Sequence, residues 1–254
     1  MGFCGTKQAP PRGAFSWLPG GGLAILLLLG GAGIALAEEG RMSEVLYQEK
    51  EADQSTYQNR ILILGSRLRM DFGSDAEDYI LFDRKAGMAW HVARESRRMV
   101  GIASYAPQYA WPKAWALEVE HFPAGDGNLT QVRLNAQLCA EFKSSARLRE
   151  EAALLRDFRR ALAGNHSTTW TATPEAYRHP CELAMDVREA GIEYRDGLPL
   201  AVRYWDGRSR VFQGQKSLPA RPELFELPAD FERLVIAAPQ LKPAAKQPRS
   251  SQRK

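Results

Sequence analysis

The sequence predicts an α+β protein, an antiparallel sheet with helices packed against it, and three observations carry that reading. Residues 67–102 break into short apolar runs separated by charged turns, the pattern of hairpin-linked strands. In Tyr79–Asp83 both alternating sets are apolar, Tyr79 and Leu81 on one side and Ile80 and Phe82 on the other, so the strand is buried on both faces and its sheet needs a cover on the concave side. Further on the period changes: Leu148, Ala152, Leu155, Phe158 and Leu162 recur at helical spacing.

The meander itself divides into strands at 67–72, 79–83, 88–92 and 97–102, and 43–49 and 56–64 add strands before it, the second ending in the Gly65-Ser66 turn. Asp71, Asp75, Glu77 and Asp78 crowd one turn of this region. A calcium loop would need a central glycine and regular ligand spacing, so a solvated acidic hairpin is the expectation. His91 has no nucleophile near it in sequence and reads as structural or exposed.

Residues 103–115 hold Tyr105, Tyr109, Trp111 and Trp115, broken by Pro107 and Pro112. Prolines remove donors and fix φ, so this is an aromatic loop rather than a helix or a central strand. It is a candidate rim for an apolar pocket; the alternative is that its rings cap the end of the sheet as core. With Trp90 from the meander, these residues make up the candidate ligand-binding set.

Two further strands, 116–122 and 131–142, flank a turn at 124–128, and the strict alternation of the second places Cys139 on its polar side. The helix that follows is bracketed by Ser145 and Gly164, with Arg147, Arg149, Arg156, Arg159 and Arg160 on its basic face. That face suits solvent or a peripheral membrane contact. Residues 165–173 read as a polar loop, and a second helix runs from His179-Pro180 to Glu189, stopped by Gly191, with Leu183, Ala184 and Val187 inward. The alternation at 198–204, the Asp206-Gly207 turn and the return at 209–212 make a closing hairpin.

The ends carry different information. Lys7 and Arg12, the apolar run 23–29 and Ala35-Leu36-Ala37 have the order of a signal peptide over residues 1–37, cleaved after Ala37. The alternative is an inner-membrane anchor at 18–36, although that stretch is short and glycine-diluted for a span. Residues 38–236 then form a single domain, and 237–254, rich in Pro, Ala, Lys and Gln, a disordered basic tail. The net charge of +4 comes from these ends: without Lys7, Arg12, Lys242, Lys246, Arg249, Arg253 and Lys254, acids outnumber bases. A nucleic-acid-binding domain would need a basic face on the fold itself, so none is expected.

Export leaves Cys139 and Cys181, and two cysteines in an oxidising compartment pair most simply with each other. The competing idea, a metal held by Cys139, His179 and Cys181, supplies three ligands at spacings unlike zinc motifs, so no metal and no cofactor are expected.

The order Leu68-Arg69-Met70, Tyr79-Ile80-Leu81-Phe82-Asp83, Met88-Ala89-Trp90 and Arg98-Met99-Val100 resembles the sheet of bacterial periplasmic lipoprotein carriers and related uncharacterised proteins, over about residues 56–102. The ending Leu224-Phe225-Glu226-Leu227-Pro228 through Phe231 is similar to their final strand. The resemblance implies a strongly curved sheet, an incomplete barrel, with two or more helices on its open side and acyl chains held within. It points to an exported, non-enzymatic periplasmic protein binding a lipid or acylated ligand. An envelope interaction protein with a protein partner is the alternative. With four histidines and no Gly-x-Ser-x-Gly, no catalytic constellation stands out.

Overall fold

The computed structural model describes residues 40–52, 54–125 and 127–236; the expectations for the leader and the tail lie outside the described residues. Six strands open the domain: β1 (Arg41–Lys50), β2 (Tyr57–Leu64), β3 (Arg67–Asp71), β4 (Tyr79–Asp83), β5 (Met88–Ala93) and β6 (Arg98–Ala103). Then come β7 (Leu117–Ala124), β8 (Gly127–Leu134), β9 (Gln137–Ser145) and the long helix α1 (Arg149–Ala172). A short helix α2 (Pro180–Leu183) continues as a π-helical turn (Ala184–Arg188) before β10 (Leu198–Tyr204), β11 (Ser209–Pro219) and β12 (Glu232–Ile236).

All twelve strands belong to one open, curved sheet in the order β12-β6-β5-β4-β3-β2-β1-β11-β10-β9-β8-β7. The pairing is antiparallel except at one edge, where β12 runs parallel to β6. The return at 209–212 is the start of a longer strand: β11 continues to Pro219 and pairs along the whole of β1, with a bulge at Leu46/Tyr47. The segment 220–231, similar in sequence to a final strand, is instead a strap with a 3₁₀ turn at Pro222–Phe225, and only Glu232 onward is strand.

Both faces of the meander are covered, as its doubly apolar strands require. On one face Val45, Ile61, Ile63, Leu68, Phe82 and Ala89 pack against Ala152, Leu154, Leu155, Phe158 and Ala161 of α1. Phe82 and Phe158 meet at 5.5 Å between ring centroids. On the other face Met42, Leu62, Tyr79, Leu81, Val92 and Met99 pack against Leu224 and Phe225 of the strap. Each such side chain withdrawn from water contributes about 1.5–3 kcal/mol before ordering costs.

Three corrections to the sequence reading have clear physical reasons. The alternating run 131–142 is two strands, not one: Asn135 and Ala136 both adopt positive φ, 49° and 65°, the two central positions of a mirror-image hairpin turn. That turn resets the register, so Cys139 faces the core rather than solvent and is fully buried. Gly164 does not end α1, which runs on through 165–172. A Cβ at Gly164 would collide with the carbonyl oxygen and ring of Tyr105, so the glycine serves a close crossing of chain over helix. Nor does Ser145 cap α1, because it ends β9, and the helix starts after Leu148, a left-handed residue with no side-chain cap.

Candidate functional site

The connection from β6 to β7 leads from one margin of the sheet to the other, and it does so across α1. Tyr105 lies on Gly164 and its hydroxyl meets Thr168 Oγ1 at 2.9 Å. The Gln108 N–H donates to Ser167 Oγ at 3.2 Å, and Ser167 is fully buried. Pro107 and Pro112 keep this segment out of regular structure, so its backbone groups turn to the helix or to solvent. Beyond the crossing the rings gather. Tyr109 packs edge-on against Trp170 of α1 at 5.4 Å, Trp111 against Trp115 at 5.3 Å, and Tyr109 against Trp111 at 6.4 Å. The Trp111 indole N–H also donates to the Trp115 carbonyl at 3.1 Å.

Four of the five candidate ring residues are therefore on one strap, and Trp90 is not with them. Its ring lies over Gly101 and packs in the cluster beneath the C-terminal strap, on the face away from α1. Trp111 and Trp115 also lean on a second core formed by Val132, Leu134, Ala140, Phe142 and Met185. Trp170, the ring that gathers the others, fell in the stretch read as a polar loop. It continues the four-residue spacing of Phe158 and Leu162 through His166, a signal outweighed by the surrounding Ser and Thr.

Two clefts flank this aromatic wall. One, of about 300 Å³, is lined by Pro107, Tyr109, Trp111, Val187 and Arg188, with the Arg188 guanidinium 5.6 Å from the Trp111 ring centroid. The other, of about 450 Å³, is lined by Trp170, His166, Glu182, Asp186, Asp206 and Arg208 among others. Tyr109 Oη, Trp170 Nε1 and His166 Nδ1 are buried without a hydrogen-bond partner. Burial pushes the His166 imidazole below its ordinary value of 6.5, Arg159 acting in the same direction against the opposing Asp186 carboxylate. The folded protein thus binds this proton more weakly than the unfolded chain does. The stability conferred by the neutral ring is complete above about pH 6.5 and is lost as the pH falls through the folded value. Denaturation midpoints measured between pH 7.5 and 5 should fall more steeply for the wild type than for His166→Gln; parallel curves would show that the ring titrates as it does in the unfolded chain.

The far wall of the smaller cleft is the π-helical turn, and a disulfide holds it. Cys139 of β9 and Cys181 of α2 are bonded, with Cα atoms 5.1 Å apart and both side chains fully buried. His179 is occupied locally: its Nδ1 accepts from the Cys181 N–H at 3.2 Å, capping α2, and its ring stacks on Trp205 at 3.4 Å. The three residues weighed as metal ligands are thus a covalent bond and a helix cap. No group of three or more His, Cys, Asp or Glu side chains arranged to hold a metal occurs among the described residues.

The acidic turn is not a solvated hairpin throughout. Asp71 is buried and accepts from Arg60 at 2.8 and 2.9 Å and from Arg69 at 2.8 Å, while Asp75 pairs with Arg60 and Arg221. Arg69, 1% exposed, also donates to the carbonyls of Leu224 and Asp75 and lies 3.9 Å over the Tyr79 ring. This network ties the C-terminal strap to the sheet.

No protein-family model matches the chain, and no curated protein matches it. Among solved structures it is similar to PNGF-II in two crystal forms, with 9% identity and TM-scores of 0.38 and 0.39 over 78% and 77% of this chain. It spans about a third of that protein, 31% and 32% of its length. It is also similar to the LolA superfamily protein NE2245 from Nitrosomonas europaea, with 8% identity and a TM-score of 0.29, over 75% of this chain and 91% of that one.

Proposed function

We propose that the protein is an exported, non-enzymatic binder of an apolar ligand, a lipid or acyl chain, taken up against the aromatic strap beside α1. The observation that carries this reading is the cleft walled by Pro107, Tyr109, Trp111 and Val187 with Arg188 beside it. Its 300 Å³ lies at the lower end of the about 300–1,000 Å³ usual for small-molecule sites. Rings pinned edge-to-face, on a segment stiffened by two prolines, offer apolar area at little further ordering cost. The face of the sheet under α1 is filled by side chains, which is why this reading assigns the ligand to the strap margin and not to the sheet's interior. Export is supported by the buried disulfide, since such bonds persist in oxidising compartments. No helix among the described residues is long and apolar enough to cross a membrane.

Titrating the full chain with 1-N-phenylnaphthylamine and with palmitate, followed by tryptophan emission, tests the reading. Micromolar binding is expected. Trp111→Leu should weaken it about tenfold, equivalent to about 1.4 kcal/mol. Trp90→Phe, on the other face, should leave it unchanged. Absence of binding to both probes would sink the ligand reading. The envelope-interaction alternative would then lead, with the exposed Leu234, Val235 and Ile236 of edge strand β12 as its first contact surface.

A further inference from the structure

Toward the N-terminus of α1 lies a cleft of about 630 Å³ lined by Asn128, Ser144, Arg149, Arg156, Arg195 and Asp196 among others. A second cleft of about 250 Å³, lined by Arg156, Arg160, Arg188, Glu189 and Arg195 among others, shares Arg156 and Arg195 with it. The two make one basic groove. Among the described residues Arg149, Arg156 and Arg160 meet no carboxylate, and the rim acid Asp196 is 3.5 Å from Arg195, which also reaches the His121 ring.

We propose that this groove is a binding site for a phosphoryl or carboxylate anion. Charge alone would not carry the proposal, because exposed arginines are ordinarily solvated. Two polar atoms at the base of the groove are the further evidence. Ser144 is 1% exposed and its hydroxyl has no partner, and Arg156 Nε is buried and equally unpartnered. A buried donor left unpaired costs about 1–3 kcal/mol, so such atoms mark places where a ligand completes the bonding. Arg156 is also positioned: its Cγ would lie 2.9 Å from a Cβ at Gly191, so its stem fits against a residue that has none. The first turn of α1, with no side-chain cap at Leu148, brings the positive end of the helix dipole to this cleft through Arg149, although Glu150 and Glu151 in the same turn offset part of that field. A guanidinium, a hydroxyl and a helix start suit a tetrahedral or planar oxyanion, and guanidinium forks bind such groups bidentately.

The anion could be free or could be the headgroup of an amphiphile; both present the same oxygens to the groove. Isothermal titration of the full chain with inorganic phosphate and with dodecyl phosphate below its micellar concentration separates them. Equal affinities assign a free anion, and at least tenfold tighter binding of dodecyl phosphate assigns a headgroup. In either case Arg156→Gln should weaken binding tenfold or more, Ser144→Ala and Arg195→Gln should each weaken it severalfold, and Arg203→Gln, an exposed control on β10, should not. Thermal melts check folding. If Arg156→Gln does not fold, the exposed Arg195→Gln decides. Binding of neither probe, or binding indifferent to all three site substitutions, overturns the proposal. The groove adjoins the aromatic cleft at Pro107, Val187 and Arg188 but does not include Tyr109 or Trp111, so the uncharged probe separates the two: phenylnaphthylamine binding that is weakened by Trp111→Leu and survives Arg156→Gln would leave that reading standing when this one fails.

Discussion

Replacing Arg69 with methionine is expected to lower the stability of the fold by about 3–5 kcal/mol, the usual cost of removing one partner from a buried ion pair. The guanidinium is 1% exposed and bonds Asp71, the Leu224 carbonyl and the Asp75 carbonyl. Methionine fills most of the volume but satisfies none of those acceptors, and it gives up the contact with the Tyr79 ring. Asp71 keeps Arg60, so the carboxylate is not wholly abandoned, which places the effect inside the range rather than beyond it. Urea denaturation gives the magnitude. Limited proteolysis gives the location, since cleavage within 220–231 should rise before cleavage in the meander. A loss under 1 kcal/mol, or cleavage that starts elsewhere, would mean that the strap is held by Leu224 and Phe225 alone.

Removing the disulfide by Cys139→Ala with Cys181→Ala is the other large effect. The bond closes a loop between residues 42 apart, for which the chain-entropy relation gives about 4 kcal/mol at 25 °C. Small cavities at two fully buried positions add to that loss. The structural consequence is local: α2 and the π-helical turn lose their tether to β9, and the wall carrying Val187 and Arg188 is free to move. Reductant added to the folded wild type should act slowly, because both sulfurs are buried, and should approach the double variant's stability only in urea. Equal urea midpoints for the wild type and the double variant would show that the packing of Met185 and Ile192 alone fixes this wall.

The meander was legible almost residue for residue: Tyr79–Asp83 is β4, and β3, β5 and β6 differ from the sequence reading by a residue at one or both ends. Its signals are local, since hairpin turns and a period of two need no knowledge of the rest of the chain. The burial of both faces was also readable from Tyr79 to Phe82, although not that a helix covers one face and a strap the other. Where the reading failed, the deciding contact was distant in sequence. Ala136 occupies a left-handed turn position that Asn or Gly normally marks, so a hairpin was read as a strand. Gly164 has the chemistry of a helix end and is used instead for the crossing of Tyr105. Of the candidate site, the strap rings were visible as composition. Trp170, which organises them, and the buried Ser144 hydroxyl were visible only once α1 and β9 were placed.

The crossing of 104–116 over α1 constrains the order in which the molecule can assemble. The strap precedes the helix in sequence yet lies outside it, so its seating must follow or accompany the docking of α1. The meander emerges first, but α1 and residues 220–231, which shield its two faces, arrive much later, and β1 waits for β11 as its second neighbour. A chain stopped before Arg149 would present two apolar faces and an open edge, the composition of an aggregating intermediate. Pairings of such high sequence separation fold slowly, because loop closure is charged before contacts return it. Holding the chain unfolded until its last strand is available, as passage through a membrane in extended form would do, removes that hazard without any change to the finished fold.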